Sequence, residues 1–161
     1  MRGGFLHNQV LAARVEHAFR ASGAEVCREY RIVTSALEGY VDLMVTCGGR
    51  RIACEIELTA ERIYWDVAKA QAMHAVLLLI VVPNEQLART VRQKLTDRQT
   101  TRRPLKLSVF CLTVGAVLEA LRNKSLLKSV LNVDTTLIHP TITSATTSSE
   151  RSRPCKFNGG T

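Results

Sequence analysis

Three acidic residues, Asp42, Glu55 and Glu57, lie in segments otherwise patterned for burial. Glu55 and Glu57 belong to Arg51 to Leu58 (RIACEIEL). Strand alternation turns both toward one face with Ala53, leaving Cys54, Ile56 and Leu58 on the other. Asp42 stands thirteen residues before Glu55, on the preceding strand of a hairpin, within reach of the same face. Carboxylates crowded in a partly buried place repel one another, and each is costly to desolvate. A hard divalent cation relieves both penalties. Oxygen ligands suit magnesium or manganese, ions that hold phosphate oxygens and activate water. Glu16, on the first helix, is a fourth candidate, to be weighed against a merely solvated helix position.

The elements that must position these groups follow from periodicity. His7 to Ser22 carries Val10, Leu11, Ala18 and Phe19 at helical spacing, with Gly23 as a stop. Val26 to Val33 and Tyr40 to Cys47 read as strands, and Gly48-Gly49 as a two-residue hairpin turn into Arg51 to Leu58. Thr59 can cap a helix from Ala60 to about His74, whose core stripe is Ile63, Val67, Ala70 and His74. Ala75 to Val82 is continuously apolar, as in a strand buried on both faces, and Pro83-Asn84 closes it. A helix from Glu85 to about Thr96, a basic loop from Gln99 to Pro104, a strand from Leu105 to Leu112 and one or two helices from Val114 to Leu131 complete the pattern. This order predicts an α/β fold, a mixed central sheet flanked by helices, in one domain over residues 1–133. Residues 134–161 are rich in Thr, Ser, Pro and Gly, and are expected to be a disordered tail.

Charge is unevenly placed. Met1 to Ala88 holds nine basic and ten acidic residues, whereas Arg89 to Lys128 holds ten basic residues against Asp97 and Glu119. A basic surface beside an acidic half suits a protein that binds a phosphate backbone at an acidic metal site. The candidate phosphate contacts are Arg89, Arg92, Lys94, Arg98, Arg102 and Arg103. Tyr64 and Trp65 open the second long helix and could stack on a base, although packing at a rim is the commoner role. The five cysteines include no CxxC pair and are expected to be reduced thiols. His17 and His74 are expected to border the core. No apolar run approaches the roughly 20 residues that span a bilayer, and no secretory signal is visible behind Met1, so a cytoplasmic protein without a membrane partner is expected. Nucleotide-binding and serine-hydrolase motifs are missing from the sequence.

The first helix with Glu16, then Asp42, then Glu55-Ile56-Glu57 across a Gly-Gly hairpin, then a helix and an apolar strand, together resemble the core of the PD-(D/E)XK nuclease superfamily, over roughly Gln9 to Val82. The resemblance implies a restriction-endonuclease-like α-β-β-β-α-β core similar to that of Holliday-junction resolvases. It places metal-binding roles on Glu16, Asp42 and Glu55 by position. Val41 stands in place of the motif proline. Glu57 stands in place of the motif lysine, which positions or deprotonates the attacking water; some restriction enzymes of the family carry glutamate there. The following helix offers Gln71 as an auxiliary catalytic residue, because a helical wheel puts it on the flank of the core face and leaves Lys69 at the surface. The implied function is a magnesium- or manganese-dependent DNA endonuclease in which Asp42, Glu55 and Glu57 hold the metal. The alternative is a nuclease-derived DNA-binding or regulatory subunit without catalysis. Family members that cut both strands commonly dimerise, so a homodimer is among the expectations.

Overall fold

The computed structural model describes residues 10–101 and 107–131, with no side-chain placement for residues 98–101 and 129. Five strands, β1 (Glu25–Val33), β2 (Glu38–Cys47), β3 (Arg50–Ile56), β4 (Leu77–Val82) and β5 (Ser108–Thr113), form one sheet in sequence order. β1, β2 and β3 are an antiparallel meander, while β3, β4 and β5 run parallel. Parallel neighbours need crossovers, and the helices α2 (Ile63–Ala72) and α3 (Glu85–Thr101) supply them. The other described helices are α1 (Ala13–Ala21), α4 (Val114–Arg122) and α5 (Ser125–Leu131).

Two apolar layers sandwich the sheet. Ile63, Val67 and Ala70 of α2 and Ala88, Val91 and Leu95 of α3 pack with Ala53, Leu78 and Ile80. Val15 and Phe19 of α1, Val117 and Leu121 of α4 and Leu126 and Val130 of α5 pack with Leu43, Cys54, Ile56 and Leu79 on the opposite face. β4 is therefore buried along its whole length, each branched side chain contributing about 1.5–3 kcal/mol of transfer free energy. The predicted α/β class and mixed sheet are observed, with the alternation along β3 as expected.

Local stereochemistry explains several boundaries. Gly48 and Gly49 both have positive φ, +56° and +74°, the signature of the primed turn that fits the twist of a two-residue hairpin. Asn84 caps α3 by accepting from the Leu87 N–H at 3.0 Å, and Thr113 caps α4 by accepting from Ala116 at 3.3 Å. Thr59 does not cap α2, which starts later than expected, after Arg62. α3 runs to Thr101, into what the sequence pattern assigns to a loop. Among the described residues Cys47, Cys54 and Cys111 carry free thiols, as expected for these three. Among the described residues no helix is long and apolar enough to cross a membrane. The expected tail, 134–161, lies outside the described residues.

His74 is a correction with consequences for the site. It is exposed and left-handed, with φ 55°, one residue beyond the C-cap Met73. Its N–H donates to the Gln71 carbonyl, and that of Ala75 to Ala70, both at 3.0 Å, which closes α2 in a Schellman motif. Glycine is the usual residue there because it has no Cβ to strain. His74→Gly is therefore expected to leave thermal stability unchanged or raise it by up to about 1 kcal/mol. A loss of about 2 kcal/mol or more in chemical denaturation would instead indicate a buried role.

Candidate functional site

β2 and β3 part beyond the Leu43–Cys54 pair, and two of the predicted carboxylates take over the ladder at that point. Asp42 Oδ2 accepts the Ile56 N–H at 2.7 Å, and Glu55 Oε2 accepts the Asp42 N–H at 3.3 Å. Each strand thus anchors the acidic side chain of its neighbour. Glu57 follows directly, its N–H bonded to the Val81 carbonyl at 2.9 Å, so the carboxylates gather at the C-terminal end of β3 beside β4. In open parallel sheets that end is the usual place for a ligand.

α2 covers this end and brings two residues that the sequence reading did not assign to the site. Lys69 Nζ lies 2.6 Å from Glu55 Oε1 and 3.0 Å from Asp66 Oδ1, and donates to the Tyr40 carbonyl at 3.0 Å. Lys69 and Asp66 are both buried. The expected surface position of Lys69 came from counting His74 in the core stripe. With His74 off the helix, Met73 is the last inward residue, and the buried face rotates toward Asp66 and Lys69. Gln71, the predicted auxiliary residue, is exposed.

The cluster sets four carboxyl groups, Asp42, Glu55, Glu57 and Asp66, against one ammonium. Burial pushes Glu55 up from 4.5 to about 8, the nearby Lys69 only partly opposing it. Burial and the Asp66 charge push Glu57 up to about 7. Asp66 is also raised, chiefly by burial. Glu57 and Asp66 are close enough for the Asp66 charge to oppose ionisation of Glu57. Burial alone would lower Lys69, but Glu55 and Asp66 more than offset it, so its ammonium form is favoured.

Other predicted residues are engaged elsewhere. Glu16 sits on α1, the helix of the opposite layer, where Arg20 at 3.0 Å and Arg28 at 3.5 Å hold its carboxylate. Arg92 ties α3 to β5 through the Cys111 carbonyl, at 3.2 and 3.0 Å, and pairs with Glu85 at 2.7 Å. Lys94 donates to the Ala60 carbonyl at 2.9 Å, and Tyr64 Oη donates to the Lys94 carbonyl at 3.2 Å. These contacts tie α3 to the start of α2. Arg89 is exposed, while the side chain of Arg98 and all of Arg102 and Arg103 lie outside the described residues. His17 is exposed rather than bordering the core.

The donor set suits a hard cation in charge and chemistry. Buried Glu55 Oε1 and both Asp66 oxygens receive no conventional hydrogen bond among the described residues, beyond the ion pairs with Lys69. In arrangement it is less complete: among the described residues no three His, Cys, Asp or Glu side chains already converge as a ligand set. No protein-family model matches the chain, and no curated sequence matches it.

The raised carboxyls carry a sign for stability. A carboxyl whose folded pKa exceeds its ordinary value binds its proton more tightly when folded, so its contribution is full below 4.5 and fades as pH rises. Thermal unfolding in EDTA should show a midpoint that falls as pH rises toward about 7 and 8, where Glu57 and Glu55 ionise. Glu55→Gln should make the fall shallower. A wild-type midpoint that climbs across the same window would contradict burial as the dominant influence.

Proposed function

We propose that this protein is a metal-dependent endonuclease acting on DNA, with the PD-(D/E)XK-like site formed by Asp42, Glu55, Glu57 and Lys69. The observation that carries it is the Lys69 ammonium, 2.6 Å from Glu55 on the strand beside Asp42. The resemblance noted above has a gap where Glu57 replaces lysine. Lys69 supplies an amino group to the same carboxylates from the following helix instead.

Asp42 and Glu55 would hold a magnesium or manganese ion, with Glu57 added from the end of β3. Such an ion, when bound, polarises a phosphodiester and lowers the pKa of water. The chain's own groups divide the remaining work. Lys69 stays protonated, so it stabilises negative charge on the phosphate and orients the nucleophile rather than abstracting a proton. Arg89 and the neighbouring basic residues of α3, on the same side of the sheet as α2, would contact the DNA backbone. One chain offers one such cluster among the described residues, so cutting both strands of a duplex would take two copies.

One observation favours the alternative of a nuclease-derived DNA-binding protein without catalysis: Asp42 and Glu55 each already spend an oxygen on a backbone N–H. Cleavage assays on duplex, branched and single-stranded DNA with magnesium or manganese decide between them. Asp42→Asn and Glu55→Gln should each lower the rate roughly 10²–10⁴-fold with DNA binding retained, and Lys69→Ala should lower it by a similar factor together with a loss of thermal stability. Gln71→Ala should behave as wild type. Binding without cutting by wild type under all these conditions would leave the binding-only reading standing.

A further inference from the structure

Two large aromatic side chains of α2 are left in solvent beside the cluster, Tyr64 and Trp65, with 45% and 48% of their surfaces exposed. Large aromatics bury 150–250 Å² when they are packed, so exposure of this size beside a polar cluster is a feature to be explained. Their attachments differ. Tyr64 is tied down through its hydroxyl to the Lys94 carbonyl. Trp65 has no hydrogen bond to its indole N–H among the described residues, and its ring edge leans on β2, with Nε1 3.6 Å from the position a Cβ would take on Gly39. The Lys69 stem lies 3.5 Å from the same point.

Trp65 and Lys69 are therefore neighbours in two ways, across Gly39 and by their i,i+4 spacing along α2. That spacing is a rise of about 6 Å. Arg62, one turn before Trp65 and Asp66, is exposed and makes no ion pair among the described residues. The stripe thus reads cation, exposed indole, buried ammonium, then the carboxylates. An exposed apolar ring beside the Arg62 cation matches a nucleotide whose base is available for stacking and whose phosphate meets that cation. A base inside a duplex keeps its faces covered by its neighbours, so it cannot use such a ring.

We propose that Trp65, flanked by Arg62, is a stacking platform for an unpaired nucleobase, so that the nucleic acid recognised by this site presents at least one unpaired nucleotide beside the carboxylate cluster. The proposal rests on the nucleic-acid reading of the site but not on cleavage.

The chain has a single tryptophan, so its fluorescence reports this position alone. The full-length protein in EDTA is titrated with an oligothymidylate and, separately, with a blunt duplex, and labelled-oligonucleotide anisotropy gives affinities for the variants. Saturable quenching by oligothymidylate, absent or much weaker with duplex, is expected. Trp65→Ala should weaken oligothymidylate binding roughly 5- to 150-fold, and Trp65→Phe should retain most of it. Circular dichroism melts of both variants verify the fold, which a half-exposed residue should not perturb. Equal quenching by duplex, or an unchanged affinity in Trp65→Ala, overturns the proposal. Quenching by oligothymidylate without cleavage of any DNA upholds the platform and defeats the nuclease reading. Cleavage of duplex with a silent Trp65 does the reverse.

Discussion

The arrangement of this protein's polar centre depends on one ammonium group. Lys69 Nζ contacts Glu55 on β3, Asp66 on its own helix and the Tyr40 carbonyl on β2. Three elements are tied through one atom. Without it, buried Glu55 and Asp66 would face Asp42 and Glu57 with no countercharge, and removing one partner of a buried pair typically costs about 3–5 kcal/mol. The single ammonium is too little to neutralise four carboxyls. Burial, and then the neighbouring charges, raise Glu55 to about 8 and Glu57 to about 7.

The sheet makes that concentration of charge tolerable. β4 is buried on both faces and pairs in parallel with β3 and β5, so the carboxylates gather at the end of a continuous apolar core. Where β2 and β3 diverge, backbone N–H groups of Ile56 and Asp42 are left without a ladder partner, and the two carboxylates satisfy them. An opening in the ladder is thereby turned into a fixed presentation of Asp42 and Glu55. The neighbouring helix pair is held by Tyr64 and Lys94, which explains why a cation in the basic stretch serves as a structural tie.

The basic stretch also shows how sequence proximity misleads about surfaces. Arg89, Arg92 and Lys94 ride on α3, in the layer that contains α2, whereas Arg122, Lys124 and Lys128 belong to α4, its following turn and α5, across the sheet. One run of charge along the chain becomes two separate faces. Arg92 and Lys94 spend hydrogen bonds on the carbonyls of Cys111 and Ala60, leaving exposed Arg89 as the more available cation of the three.

Periodicity alone determined much of this protein. Alternation in Arg51 to Leu58 put Glu55 and Glu57 on one face, Gly48-Gly49 specified the hairpin that sets Asp42 against Glu55, and the apolar run before Pro83 marked the central strand. These are local rules, in which a side chain's direction follows from its own backbone. The tertiary structure decided which helical residues met that face. A shift of the last inward residue from His74 to Met73 rotated α2 enough to bury Lys69 and Asp66, expose Gln71 and complete the cluster. A lysine's long stem lets its ammonium reach a charge far from its own Cα, so its partner is set by packing between elements rather than by its place on a helical wheel. Glu16 makes the same point from the other side. Its position on the first helix was legible, but the layer that helix packs into gave its carboxylate to Arg20 and Arg28.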